Sequence, residues 1–196
     1  MLSRSKPKAR KVKWTEAQVK TFLDTAYSNW EWRSIGLIVH MAYEWAQRVG
    51  DMRLLTWNNL DLDEQRLDLE QSKRRADVHL PISDALCKML VQQHKDFGFQ
   101  AYVAPRPEPY NGAYTSYHST DIHKLVNEVK DSAGLPKELT ALDLRRTGIT
   151  EMVEAGVDTL GIMQVSGHSN PQSVKPYLVN TLKGASTALN KRNNNK

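Results

Sequence analysis

From Leu60 to Ile82 the apolar residues recur at every second position, whereas the segments on both sides repeat with helical spacing. The alternating residues are Leu60, Leu62, Leu67, Leu69, Val78, Leu80 and Ile82. A period of two is typical of a strand with one buried face, and the polar stretches between the three groups are typical of turns. The sequence therefore predicts an α+β fold that is mainly α-helical, with one small three-stranded antiparallel sheet.

The helices can be placed by their capping and terminating residues. Thr15 opens a capping box, and Asp84 is predicted to cap the helix that follows the sheet. Asn170-Pro171 is typical of a helix start, which places Tyr177 about two turns into the last helix. Helices are predicted over 15–26, about 31–46, 51–55, 84–91, 122–134, 141–155 and 158–165, and a long loop is predicted over 98–119.

Positive charge is concentrated at the two ends of a chain whose formal net charge is +5. Residues 1–13 carry six Lys or Arg side chains and no acid. Basic segments of this kind bind polyanions because binding releases counterions. Residues 1–13 are therefore predicted to be a basic tail or linker, and a solubilising end is the alternative.

Composition also excludes several classes of protein. No apolar run approaches the about 20 residues that span a membrane, and no signal-peptide pattern opens the chain. The single cysteine, Cys87, cannot form an intramolecular disulfide and is predicted to be a buried thiol. The six histidines are scattered without the ligand spacing of a metal site, so no metal is predicted.

Residues suited to one kind of chemistry occur in four separate motifs. The motifs are AQRVGDMRLLTW with Arg48, QSKRRADVHLP with Lys73, LDLRRTGIT with Arg145, and GHSNPQSVKPY with His168 and Tyr177. Two guanidiniums can pair with the non-bridging oxygens of a phosphodiester, whose negative charge grows during attack. A tyrosine with cationic neighbours can be the nucleophile, and a lysine on a hairpin turn can protonate the departing hydroxyl. The set indicates phosphoryl transfer to a tyrosine.

The order and spacing of these motifs make the chain similar to tyrosine recombinases of the phage-integrase family. QRVGDMRLLTW resembles the family's first arginine box, with Arg48 as the arginine and Asp51 as the acid. LDLRRT resembles the second box, H-x-L-R-R-T, with Arg145 as its arginine. VSGH resembles the L-G-H box, and Tyr177 follows His168 at the family's usual offset of nine residues. The resemblance extends from about residue 14 to residue 182.

The resemblance implies a role for each of these residues. The implied catalytic residues are Arg48, Lys73, Arg145, His168 and the nucleophile Tyr177. Asp51 is expected to orient Arg48 rather than take part in the chemistry. The expected DNA-contacting residues are Arg74, Arg75, Arg146, Lys11 and Lys13. Residues 14–182 are expected to form the catalytic domain, and residues 183–196 a C-terminal tail that packs on a neighbouring protomer.

The implied activity is that of a site-specific DNA recombinase, or integrase, which forms a 3′-phosphotyrosyl intermediate without a metal or other cofactor. The implied partners are double-stranded DNA attachment sites, further copies of the chain in a homo-tetramer on DNA, and a host DNA-bending protein. The free chain is expected to be a monomer in the cytoplasm and nucleoid of a bacterial host, where it integrates or excises a phage or mobile element. The short segment before residue 14 indicates either an excised catalytic domain or a short recombinase.

One position departs from the family pattern. Leu142 occupies the place of the histidine that opens the second box. Leucine has no hydrogen-bonding group, so it cannot contact a phosphate or assist proton movement as that histidine does. Continued activity is expected because the other catalytic residues are present. The alternatives are a type IB topoisomerase-like enzyme that relaxes DNA and a non-catalytic DNA-binding accessory protein.

Overall fold

The computed structural model describes residues 12–71, 77–177 and 182–194. Within these ranges the helices α1 to α8 span, in order, Glu16–Tyr27, Arg33–Glu44, Val49–Met52, Asp84–Phe97, Ser119–Ser132, Asp143–Glu154, Thr159–Ser166 and Leu182–Asn194. Strands β1 to β3 span Leu60–Asp61, Arg66–Glu70 and Asp77–Pro81. Short 3-10 helices occupy Trp30–Trp32, Trp57–Asn59, Pro171–Ser173 and Lys175–Tyr177. The mainly helical α+β fold predicted from the sequence is confirmed.

The first helix begins at the predicted capping box. The Gln18 amide donates to Thr15 Oγ1 at 3.2 Å, and the Thr15 amide donates to Gln18 Oε1 at 2.9 Å. Just before the box, the Trp14 amide donates to Thr147 Oγ1 at 2.9 Å, and the Trp14 indole donates to the carbonyl of Thr140, also at 2.9 Å. These bonds fix the segment before α1 against the start of α6, which carries Arg145.

Helix α2 lies at the centre of the molecule, where it contacts α1, α3, α4, α5 and α6. Ile35, Leu37 and Ile38 have no exposed surface. Burial of each such side chain stabilises the fold by about 1.5–3 kcal/mol. Just after α2 ends, buried Ala46 has a φ of +48°, which lies in the left-handed region. Gln47 and Arg48 therefore lie at the edge of the core, a few residues after the end of α2.

The three strands form an antiparallel sheet in the order β1-β2-β3. Leu67 of β2 pairs with Leu60 of β1 and Leu80 of β3. The period of two buries Leu67 and Leu80 on one face and leaves their neighbours in β2 and β3 outside, as the sequence predicted. Residues 72–76 between β2 and β3, which include Lys73, Arg74 and Arg75, lie outside the described residues.

Two local predictions are wrong. Ser83, not Asp84, caps α4: its hydroxyl accepts from the Leu86 amide at 3.3 Å, and Asp84 is the first helical residue. The segment after Asn170 is not one α-helix but two short 3-10 helices, and the Tyr177 amide donates to the Val174 carbonyl at 2.9 Å. Pro176 explains the difference, because it has no amide hydrogen and its ring would clash with a carbonyl four residues earlier in an α-helix.

The last described element, α8, overlaps residues 183–196 and lies beside α6. The prediction that this part packs on a neighbouring protomer stays a prediction. Among the described residues, no helix combines the length and the apolar character that crossing a lipid bilayer requires.

Candidate active site

A cleft of about 280 Å³ opens between the end of α2, helix α3 and the start of α6. Its lining residues are Gln47, Arg48, Val49, Gly50, Asp51, Ala141, Leu142 and Arg145. The structure thus places the predicted arginines, Arg48 and Arg145, on one cleft although they are far apart in sequence. Lys73 and its neighbours Arg74 and Arg75 lie outside the described residues, as does Lys11.

Arg48 is held between a buried carboxylate and a buried amide. It occupies the N-cap position of α3, where its carbonyl accepts from the Asp51 amide at 2.9 Å. Its guanidinium Nη1 lies 3.5 Å from Asp51 Oδ2 and donates to Gln71 Oε1 at 3.2 Å. The Asp51 side chain is only 2% exposed, whereas that of Arg48 is 26% exposed. Asp51 therefore lies beside the Arg48 guanidinium, part of which stays exposed at the cleft, and its orienting role stays a prediction.

Arg145 is positioned by the way in which α6 begins. Asp143 Oδ2 accepts from the amide and the hydroxyl of Thr140, at 3.0 and 2.7 Å, and thereby fixes the first turn. Arg145 Nη1 then donates to the Ala46 carbonyl at 3.2 Å, and Nη2 donates to the Ser166 carbonyl at 2.7 Å. These carbonyls lie just past the end of α2 and at the end of α7, where the helix dipole favours a cation.

Two buried glutamines, which sequence reasoning missed, join the arginines. Gln47 and Gln71 each have no exposed surface, and the Gln71 amide nitrogen donates to Gln47 Oε1 at 2.5 Å. Arg48 donates to Gln71, and Arg145 Nη1 lies 3.5 Å from Gln47 Oε1. The available signal was that Gln47 immediately precedes Arg48 and that Gln71 lies two residues before Lys73.

His168 is held in one tautomer by Ser166. The Ser166 hydroxyl donates its single proton to the Ile162 carbonyl at 2.5 Å, and its oxygen lies 2.6 Å from His168 Nδ1. Because that proton is already used, Nδ1 must carry the proton that it shares with Ser166. In the neutral ring Nε2 is then the basic nitrogen. The side chain is buried, with 8% of the residue exposed.

Gly167 is required for two reasons. It ends α7 with a φ of +66°, a left-handed conformation that disfavours other residues. A Cβ at this position would also lie 2.5 Å from the amide nitrogen of Gln71. The glycine therefore lets the chain turn toward His168 while the buried glutamine approaches the backbone.

We expect Gly167→Ala to lower the free energy of unfolding by about 2 kcal/mol or more, since the left-handed conformation alone costs about 1–2 kcal/mol. Gly134→Ala is the matched control, because Gly134 has a φ of +65° and a methyl group added there would meet nothing within 4 Å. Urea denaturation of both variants measures the difference. Equal losses would contradict the close approach of Gln71.

Tyr177 lies against His168 and Arg146. Its ring centroid is 6.0 Å from that of His168, and the Arg146 guanidinium carbon is 5.3 Å from the Tyr177 ring centroid. Val174, which has no exposed surface, anchors the preceding turn to Ile149 and Ile162. The structure therefore brings together the predicted nucleophile and the predicted histidine, and it places Arg146 beside the nucleophile.

Three of the other six tyrosines are poorer candidates for the nucleophile. Burial raises the pKa of Tyr27 and of Tyr117 well above the ordinary tyrosine value. Burial, assisted by Glu151, raises the pKa of Tyr43 to about 12. A raised pKa makes the reactive phenolate harder to form. The remaining three, Tyr102, Tyr110 and Tyr114, lie in the loop between α4 and α5, where Tyr114 packs edge-on against Phe97 and Phe99.

Leu142 faces the cleft in the position of the expected histidine. It is 70% exposed, and no side-chain bond caps α6 at this residue. The nearby Thr140 hydroxyl does not substitute for the histidine, because it donates to Asp143 at 2.7 Å. Lys13, predicted to contact DNA, forms an ion pair with Glu154 at 2.8 Å. Within the described residues, no three His, Cys, Asp or Glu side chains are grouped as a metal site requires.

This fold is shared with known proteins. The model of the phage integrase family matches residues 13–183. The crystal structure of XerA recombinase is similar with a TM-score of 0.74 and 19% identity, covering 96% of this chain and 66% of the XerA chain. The crystal structure of a lambda integrase dimer bound to a COC′ core site is similar with a TM-score of 0.67 and 19% identity. The match covers 89% of this chain and 49% of the lambda integrase chain.

The Tn1549 transposon integrase, in complex with transposon right end DNA, gives a TM-score of 0.70 and 16% identity, covering 94% of this chain and 67% of its own. At these identities the likeness establishes the fold. The chain spans between about half and two thirds of the length of the three structures. No curated protein sequence matches the chain at a significant level.

Proposed function

The chain belongs to the phage integrase family, and on that premise we propose that it is a site-specific DNA recombinase. In this proposal Tyr177 breaks a DNA strand by forming a 3′-phosphotyrosyl link, and the strand is later joined to a partner strand. The observation that carries the proposal is the position of Arg48 and Arg145 on one cleft, tied through Gln47 and Gln71. His168 and Tyr177 lie together at the end of the same hydrogen-bonded network.

The reaction that fits these residues is an exchange of phosphate esters. Tyr177 Oη attacks the phosphorus and loses its proton to His168 Nε2, while the two guanidiniums pair with the non-bridging oxygens. The bond from phosphorus to the 5′ oxygen breaks, and Lys73 is the proposed donor of the proton that this oxygen takes up. Rejoining reverses these steps with a 5′-hydroxyl from the partner strand. The number of phosphate esters is unchanged, so the exchange needs no energy input.

The proposal also names the molecules with which the chain would act. Double-stranded DNA attachment sites are the proposed substrate, since a net charge of +5 and the basic residues 1–13 suit a polyanion. Exchange between two duplexes needs two breaks in each, which a homo-tetramer on DNA would supply. The proposed setting is integration or excision of a phage or mobile element in a bacterial cytoplasm, assisted by a host DNA-bending protein.

A selection for covalent capture tests the proposal and does not require the DNA site to be known. The protein is incubated with duplexes that have a randomised central region, and DNA that stays attached in detergent is recovered, amplified and sequenced. We expect one motif to be enriched and to recombine when it is placed in two duplexes. Relaxation of supercoiled plasmid without strand exchange would instead indicate a topoisomerase-like enzyme. Absence of any adduct would overturn the proposal.

Leu142 is the observation that favours a second candidate, a DNA-binding accessory protein that has lost the chemistry. Leu142→His is expected to change the free energy of unfolding by less than about 0.5 kcal/mol because the residue is exposed. It is expected to accelerate adduct formation by about 10-fold or more. A group that transfers a proton typically contributes about 100- to 10,000-fold, and a histidine added to an existing site is expected to supply at least part of that.

Adduct formation by Leu142→His should be compared with that by Leu160→His, a control at a leucine that is 65% exposed on α7. If the unmodified chain forms no adduct and Leu142→His does, the accessory function is favoured. If both histidine variants behave like the unmodified chain, Leu142 does not limit the reaction.

A further inference from the structure

The amide groups of Gln47 and Gln71 form a continuous bridge between the two arginines of the cleft. Arg48 Nη1 donates to Gln71 Oε1 at 3.2 Å, and Gln71 Nε2 donates to Gln47 Oε1 at 2.5 Å. Arg145 Nη1 lies 3.5 Å from the same Gln47 oxygen. Both glutamines have no exposed surface, so this bridge is buried at the wall of the cleft, which Gln47 lines.

Every amide hydrogen of the pair has an acceptor. Gln47 Nε2 donates to the carbonyls of Trp45 and Val165, at 2.9 and 2.6 Å. Gln71 Nε2 donates to Gln47 and, at 2.9 Å, to the Ser166 carbonyl. If either amide were rotated by half a turn, its NH₂ group would face the hydrogens of an arginine guanidinium. Its oxygen would then face the oxygen atoms that accept from its NH₂ group in the structure, and no hydrogen would lie between them. The bridge therefore has one direction, with both amide oxygens presented toward the arginines.

We infer that Gln47 and Gln71 are positioning residues that hold the two guanidiniums as one unit for the scissile phosphate. The catalytic consequence rests on the proposed function, whereas the positioning of the arginines does not. Ser166 extends the unit, since its carbonyl accepts from both Arg145 and Gln71 and its hydroxyl binds His168. A displacement of Gln71 is thus transmitted to both arginines and to the histidine.

A neutral amide suits this place better than a carboxylate does. A carboxylate at residue 71 would pair with Arg48 and offset part of the positive charge that the phosphate requires. It would also bring an anionic oxygen against Gln47 Oε1 and the Ser166 carbonyl, which are both acceptors. The amide instead accepts from a guanidinium on one side and donates to two oxygens on the other, without changing the charge of the cleft.

Gln71 also ties the cleft to the sheet. It directly follows β2, and the chain from 72 to 76, which carries Lys73, begins at the next residue. The close approach of Gln71 to Gly167 fixes the end of β2 against the end of α7. The bridge thus joins the start of the predicted lysine turn to the two arginines through buried side chains.

The test compares Gln71→Met with Gln93→Met in the full chain. Both replace a buried glutamine by an apolar side chain of similar length, but Gln93 donates to the Ser34 hydroxyl at 3.2 Å and is not part of the cleft. On the DNA motif from the selection, Gln71→Met should slow adduct formation at saturating DNA by about 10–100-fold, by analogy with the loss found when the hydrogen-bonding partner of a metal ligand is removed. The half-saturating DNA concentration should change less than about 3-fold.

Two further readouts separate positioning from a general loss of structure. A neutral methylphosphonate at the scissile position carries less negative charge for the guanidiniums to stabilise. On that substrate, the ratio between the rates of adduct formation by the unmodified chain and by Gln71→Met should therefore be smaller. In protein labelled with ¹⁵N-arginine, the Nη signals of Arg48 and Arg145 should shift and broaden in Gln71→Met, and remain in place in Gln93→Met.

The outcomes distinguish this inference from the proposed function. If the unmodified chain forms no adduct, the proposed function fails and the arginine spectra alone decide the inference. If adducts form but Gln71→Met matches the unmodified chain in rate and spectra, the inference is overturned. Unfolding of Gln71→Met is detected by its melting curve, and Gln71→Asn, which keeps a neutral amide on a side chain one methylene shorter, then replaces it with the same expected direction in rate and spectra.

Discussion

Tyr177→Phe should form no detectable covalent adduct with the selected DNA, a loss of about 10⁴-fold or more, because removal of a nucleophile abolishes the covalent step. The substitution removes only the hydroxyl, so the ring contacts with His168 and Arg146 remain. DNA affinity is therefore expected to change less than about 3-fold. Adducts are measured by detergent electrophoresis, and affinity by a mobility shift at fixed salt.

Tyr110→Phe is the matched control for Tyr177→Phe. Tyr110 is 68% exposed in the loop between α4 and α5, and it lies outside the cleft. We expect its adduct yield to equal that of the unmodified chain. The assignment of Tyr177 fails if Tyr177→Phe keeps the yield or if Tyr110→Phe loses it.

Arg145→Lys should lower the rate of adduct formation by about 100- to 1,000-fold, equivalent to about 2.7–4 kcal/mol in the activation barrier. Lysine keeps a positive charge but has no planar fork, so it cannot bind the carbonyls of Ala46 and Ser166 and also present a second face to a phosphate. The loss is expected in the rate at saturating DNA, since the long-range charge that attracts DNA is unchanged.

The control for Arg145→Lys is Arg66→Lys. Arg66 is a half-exposed residue of β2 whose partners, Asp61 and Asp68, lie on the sheet. Its substitution should leave the rate within about 2-fold, because exposed ion pairs contribute little. A rate for Arg145→Lys that matches the rate for Arg66→Lys would remove Arg145 from the reaction.

Local patterns are sufficient to predict most of the fold. The capping box at Thr15 and the alternation of Leu67 with Leu69 each depend on residues close in sequence, and both are present in the structure. The segment before Tyr177 differs from its prediction because Pro176 opposes the α-helix whose start Asn170-Pro171 favours. Ser83 and Asp84 have equally suitable capping side chains, so the sequence alone does not distinguish them.

The candidate site is predictable only in part, because some of its residues are brought together by contacts between distant parts of the sequence. Arg48, Arg145, His168 and Tyr177 belong to motifs whose spacing is visible in the sequence. The roles of Gln47 and Gln71 depend on contacts between residues 24 positions apart, and between Gln71 and Ser166, 95 positions apart. Nothing in a one-dimensional pattern indicates which buried amide faces which guanidinium. Lys73 stays a prediction, since it lies outside the described residues.

The most direct measurement is to identify the linked atom in the trapped adduct. The selected duplex is labelled at the 5′ end of one strand or at the 3′ end of the same strand, and the adduct is digested with nuclease and protease for mass spectrometry. We expect the 5′-labelled fragment to stay with the protein and the nucleotide to be attached to the peptide containing Tyr177. Attachment at another residue, or retention of the 3′-labelled fragment, would contradict it.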